Sequence, residues 1–102
     1  MRDIYHLLTK DYPDFKNHTI EQLSEEADLY ACGAFSINSA LTLIGNLALD
    51  ATNSEEYSDE DARRDLALVS AVLRNLPRMA MALSQSSDTA SYVREKRNKG
   101  EA

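Results

Sequence analysis

Apolar residues recur through the first half of the chain at alternating steps of three and four: Ile20, Leu23, Ala27, Tyr30, Ala34, Ile37, Leu41, Ile44, Ala48 and Ala51. A second run, Ala62, Leu66, Val69, Leu73, Leu76, Ala80 and Leu83, repeats the pattern. Such steps place side chains on one face of an α-helix, because each residue advances by about 100°. Two apolar seams separated by a polar segment predict an all-α fold, a long antiparallel helical hairpin.

Local signals set the ends. Thr19 and Gln22 form a capping-box pair, and Glu21, Glu25 and Glu26 put negative charge where the helix dipole favours it. The first long helix is therefore expected over 20–51. Gly33 and Gly45 lie inside it, each costing about 1 kcal/mol relative to Ala, and read as points of close helix approach. Residues 50–58 (DATNSEEYS) have no apolar repeat and read as the loop. Ser58 followed by Asp61 signals a new N-cap, opening a helix over 59–83 that Pro77 should kink or break near Leu76. Before the hairpin, Asp3 caps a short helix with Ile4, Tyr5, Leu7 and Leu8, ending near Tyr12 because Pro13 disfavours helix before it. Pro13-Asp14 reads as a turn and Phe15 as an anchor onto the hairpin. Residues 84–91 (SQSSDTAS) read as a polar spacer and 92–102 as a polar tail, leaving one helical domain over 1–91.

The last helix carries more apolar surface than one neighbour can cover. Leu68, Val72, Met79 and Met81 form a second set, and Leu43, Leu47 and Leu49 pose the same question on the first long helix. This excess points to a protein interface at Leu68, Val72, Met79 and Met81 and to a homodimeric helical bundle.

Charge changes the picture by its distribution. The formal net charge is −6, and residues 1–57 hold ten acidic against three basic side chains. Phosphate backbones repel such a body, which disfavours direct nucleic-acid binding by it. Glu21, Glu25, Glu26, Asp28, Glu55 and Glu56 are read as an acidic rim. That rim either solubilises the chain, steers a partner or imitates nucleic acid in a basic groove. Arg94, Lys96, Arg97 and Lys99 give the tail a basic character that offers a second, nucleic-acid-binding reading.

Catalytic chemistry finds no foothold. Cys32, the single cysteine, reads as a small buried thiol within a helix and fits a reducing, cytoplasmic setting. His6 and His18 are far apart, Asp59-Glu60-Asp61 suits helix capping better than a calcium loop, and no Gly-rich phosphate loop occurs. The expectation is a non-enzyme without metal or cofactor. The apolar run 41–49 is too short to span a bilayer, so no membrane association is expected.

Three segments carry a resemblance: Asp3-Ile4-Tyr5-His6-Leu7-Leu8, Ala31-Cys32-Gly33-Ala34-Phe35, and Asp59-Glu60-Asp61-Ala62-Arg63-Arg64-Asp65-Leu66. In these the chain resembles small enterobacterial prophage and satellite-phage proteins of the derepression, or antirepressor, type. The resemblance implies a small cytoplasmic protein that binds and blocks another protein, a repressor or a host defence factor. The other function classes open at this point are a nucleic-acid mimic, a nucleic-acid binder acting through the basic tail, and a purely structural oligomer subunit.

Overall fold

The computed structural model describes residues 3–100. Four helices follow in order: α1 (Ile4–Leu8), α2 (Tyr12–Phe15), α3 (Ile20–Thr52) and α4 (Asp59–Asn98), with no strand among the described residues. α3 and α4 pack antiparallel along their length as the hairpin, and α1 and α2 lie against α4. The result is a flat rod of 63 × 28 × 13 Å.

The helix starts obey the caps written in the sequence. At α3 the Gln22 N–H donates to Thr19 Oγ1 at 3.1 Å, and the Thr19 N–H donates to Gln22 Oε1 at 2.8 Å. At α4 the Asp61 N–H donates to Ser58 Oγ at 3.0 Å. Asp3 opens α1 in the same way, with the His6 N–H donating to Asp3 Oδ1.

Three expectations are corrected. Pro13 and Asp14 belong to the one-turn helix α2, where Pro occupies the first turn and its missing N–H costs nothing. Of the kink or break expected at Pro77, the break does not occur: α4 runs through it for 40 residues. An interior Pro disfavours helix by about 3 kcal/mol, and here the turns on both sides are held by packing on α3. The expected spacer and tail are helical as far as Asn98, with residues 101 and 102 outside the described residues. Their composition is polar, yet Ser86, Ala90 and Val93 return to one side and are buried. The periodicity was hidden because small and hydroxyl residues hold those positions.

The core sits at the end of the rod where the chain begins and ends, termed proximal here. Phe15, Leu23, Ala27, Ala90 and Val93 form it, with Tyr30 packed alongside. Phe15 is the anchor its sequence context predicted, at 1% exposure. Ser86 is buried without penalty because its hydroxyl donates to Leu8 O at 3.2 Å and accepts from the Lys10 N–H at 2.9 Å. Those two bonds dock the end of α1 on α4. Ser87 Oγ donates to Ala27 O at 2.8 Å, tying α4 to α3.

The seam departs from the expected rows in α4, where Leu66 and Leu73 are more than half exposed while Val69, Val72 and Leu76 are half-buried. Leu66 and Leu73 lie at the edge of the stripe, and α3 covers its centre. Of the two glycines, Gly33 is at a close approach: a Cβ there would stand 3.1 Å from Leu83 Cδ1. Gly45 has nothing within 4 Å of that position.

Replacing Gly45 by Ala should therefore stabilise the chain by about 0.5–1 kcal/mol, raising the thermal midpoint. Phe15→Ala should remove about 3–5 kcal/mol, measured by denaturant unfolding followed by circular dichroism.

Candidate protein-binding surface

Burial divides the rod into two halves. At the proximal end α1 and α2 cover α4. Across residues 35–79, termed the distal arm, no residue is buried. Phe35, Leu43, Leu47, Leu49, Leu66, Leu68 and Leu73 are each 56–72% exposed there. Apart from the junction at Asn38, Pro77 and Arg78, which the start of α1 reaches, α3 and α4 stand alone in this arm, so each is covered along one stripe.

A groove of about 530 Å³ runs along one face of the arm. Ile44, Leu47, Ala48 and Ala51 line it from α3, and Leu68, Val69 and Val72 from α4. The Tyr57 hydroxyl closes the tip end by donating to Asp65 Oδ2 at 2.7 Å. That bond, with smaller effects of burial and the Asp65 charge, raises the Tyr57 pKa above its ordinary value.

The four expected interface residues separate. Leu68 and Val72 line the groove together. Met79 is half-buried further along α4. Met81 lies in a different shallow hollow with Tyr5, Asn38 and Pro77, where its sulfur is 3.9 Å from Arg78 Nη1. Steps of two residues turn a helix by about 200°, so Met79 and Met81 occupy opposite sides. Leu68, Val72 and Met79 instead continue, at helical steps, into Ala82, Ser86 and Val93. The last three are buried at the proximal end and the first three are not. Leu47 of α3 was seen in the sequence as excess; that it shares a groove with Leu68 and Val72 needed the hairpin register.

The acidic rim is likewise two patches. Glu21, Glu25, Glu26 and Asp28 stand on the first turns of α3, while Glu55 and Glu56 lie in the loop beyond its far end. The length of α3 separates them by roughly 40 Å at 1.5 Å per residue. Glu26 is also engaged, with Oε2 at 2.6 Å from His18 Nε2 and Oε1 accepting from the Tyr30 hydroxyl at 3.4 Å. Burial, then the nearby Glu26 charge, pushes the Tyr30 pKa up.

The basic tail is not loose. Arg94 Nη1 donates to Ser24 Oγ at 3.3 Å, and Arg97 Nη2 donates to the carbonyls of Phe15 and Lys16. Lys96 stands over the Tyr92 ring. The two arginines fasten α4 to α3 and to the segment following α2. Cys32, expected to be buried, is exposed on α3. Among the described residues no three His, Cys, Asp or Glu side chains are grouped to hold a metal ion.

The uncharged stretch of α3 extends beyond 41–49. Residues 29–49 of α3 contain no Asp, Glu, Lys or Arg. By length and composition α3 and α4 are each apolar enough to cross a bilayer, with 18-residue windows of mean hydropathy 1.4 and 1.3. No known protein-family model, curated protein or solved structure matches the chain.

The proximal clasp has a pH signature. Arg78 Nε donates to Asp3 Oδ2 at 2.9 Å, and its guanidinium lies 4.5 Å from the Tyr5 ring centroid. The hydrogen bond from Arg78, aided by those from His6, holds the Asp3 carboxyl at about 2. A depressed folded-state pKa contributes stability above the unfolded value of 3.8 and loses it as pH falls towards 2. The thermal midpoint of the parent chain should therefore drop more than that of Asp3→Asn between pH 4 and pH 2, and parallel curves would remove the clasp from the account.

Proposed function

We propose that this chain is a small protein-binding regulator that acts by occlusion. Its distal arm docks on another protein and blocks the surface it covers. The observation that carries this reading is the arm itself: two long helices over 35–79 with no buried residue and seven large apolar side chains in solvent. A contiguous apolar surface of that kind is a mark of an interaction site. Exposed Phe35 and Leu73, outside the groove, supply apolar anchors, and Glu55 and Glu56 at the tip favour a partner with a basic face by steering its approach. The resemblance to antirepressor-type proteins supports a repressor or host defence factor as that partner, and a cytoplasmic location belongs to the same proposal. Nothing in this action needs a reaction, a metal or a cofactor.

The bilayer-length apolar windows favour a second reading, insertion of the hairpin into a membrane. Its difficulty is the tip: residues 50–61 carry six carboxylates and no Lys or Arg. Carrying carboxylates into hydrocarbon costs several kcal/mol each, about 2.5–3.5 on insertion scales. The protein-binding reading keeps them in water.

An affinity pull-down from the native cell extract, with Val72→Asp and Leu73→Asp in parallel, tests the proposal. One substitution falls in the groove and the other outside it, about 100° further round α4. The expected result is a defined protein captured by the parent chain and lost from at least one variant whose helical circular dichroism is unchanged. The same capture profile in all three chains, or no captured protein, would overturn it.

A further inference from the structure

We propose that the groove on the distal arm seats a second copy of this chain, laid antiparallel so that the two arms complete a four-helix bundle. The inference rests on the reading of the arm as a binding surface and names the occupant of its groove.

The first support is continuity. The row that begins with Leu68, Val72 and Met79 is covered by the chain's own short helices once it reaches Ala82, Ser86 and Val93. Both α1 and α2 are held at the proximal end, by the Ser86 and Arg78 bonds and by buried Phe15. Among the described residues no element remains to cover the arm. An arm of two helices without a buried residue needs its cover whenever it is folded, and a second copy arrives at the same time and place.

The second support is charge. Residues 50–61 hold six carboxylates without a Lys or Arg, whereas residues 63–78 hold four arginines and Asp65 alone. Copies laid tip to tip would bring twelve carboxylates together. Copies laid antiparallel set Asp61 level with the second copy's Arg78 and Asp65 level with its Arg74. One register serves both pairs, because each set is spaced by four residues. Arg74 lies about 200° round α4 from Val72, away from the groove, so it matches Asp65 in level and not by contact; it forms no ion pair within its own chain among the described residues. The screening length, about 8 Å at physiological salt, is close to the width of a helix, so level matters even where side chains do not touch. The dimer leaves Phe35 and Leu73, which lie outside the groove, with both acidic tips, for the target protein.

Sedimentation equilibrium of the full chain tests the dimer, and spin-label distances test its orientation. The expected mass is twice that of the 11.4 kDa chain, falling to the single mass in Val72→Asp. In a Cys32→Ser background, labels at Ala71→Cys should lie within about 25 Å of each other, two helix diameters. Labels at Asn53→Cys, level with about residue 61 of α4, should be separated by roughly 27 Å along the bundle axis, from the helical rise per residue. These distances do not depend on whether Val72→Asp folds. A monomer at the highest soluble concentration, tips in proximity, or a dimer indifferent to Val72→Asp would overturn the proposal. So would a monomer that floats with vesicles of phosphatidylcholine and phosphatidylglycerol, which would give the groove to a bilayer. A monomer whose captured protein is still lost from the arm variants refutes the second copy and leaves the regulator standing. A dimer that captures nothing does the reverse.

Discussion

Two helices packed side by side bury one stripe on each and leave the rest of both circumferences in water. The whole structure follows from where this chain relieves that constraint and where it does not. At the proximal end two very short helices, α1 and α2, lay a third layer against α4, and every buried side chain belongs to that end. In the distal arm the pair stands alone, and large aliphatic side chains face solvent. Hydrophobic burial contributes roughly 25 cal/mol per Å², so the two ends of a single hairpin differ in how much stability their sequences draw from it.

The proximal layer is held by few but specific bonds. Ser86, buried between α4 and the end of α1, both donates and accepts, so a polar residue enters the core fully satisfied. Arg78 joins α1 through Asp3 and Tyr5, and Arg97 joins the segment after α2 through backbone carbonyls. Arginine suits both tasks because its planar fork presents several donors at once. Basic residues that suggested a nucleic-acid-binding tail are thereby drawn into the fold. The acidic residues are parted by the length of α3, leaving Glu55 and Glu56 at the tip as the patch nearest the apolar arm.

Much of the architecture was legible in the sequence. The alternating three–four steps, Thr19 with Gln22, and Ser58 with Asp61 gave the hairpin and both long-helix starts within a residue. What escaped were places where tertiary packing overrides local preference. Pro77 ought to interrupt a helix on its own, but α3 supports the turns on either side. Residues 84–98 looked like a spacer because serine and alanine, small enough to pack closely, occupy the core positions there. The excess of apolar residues behind the candidate surface was legible, and Leu68 and Val72 line one groove. Met81 was grouped with them by proximity along the chain, and only the helical turn separates it from Met79. The groove itself combines residues such as Ile44 and Leu68, whose pairing depends on the hairpin register, which periodicity alone does not provide.

The central claim is that the arm is a folded surface only when covered. Hydrogen exchange followed along α3 and α4 at a series of protein concentrations tests it most directly. Amides of residues 35–79 are expected to lose protection on dilution while those around Leu23, Ala27 and Val93 keep theirs. Equal protection of both ends at every concentration would contradict it, since the arm would then be stable as two uncovered helices.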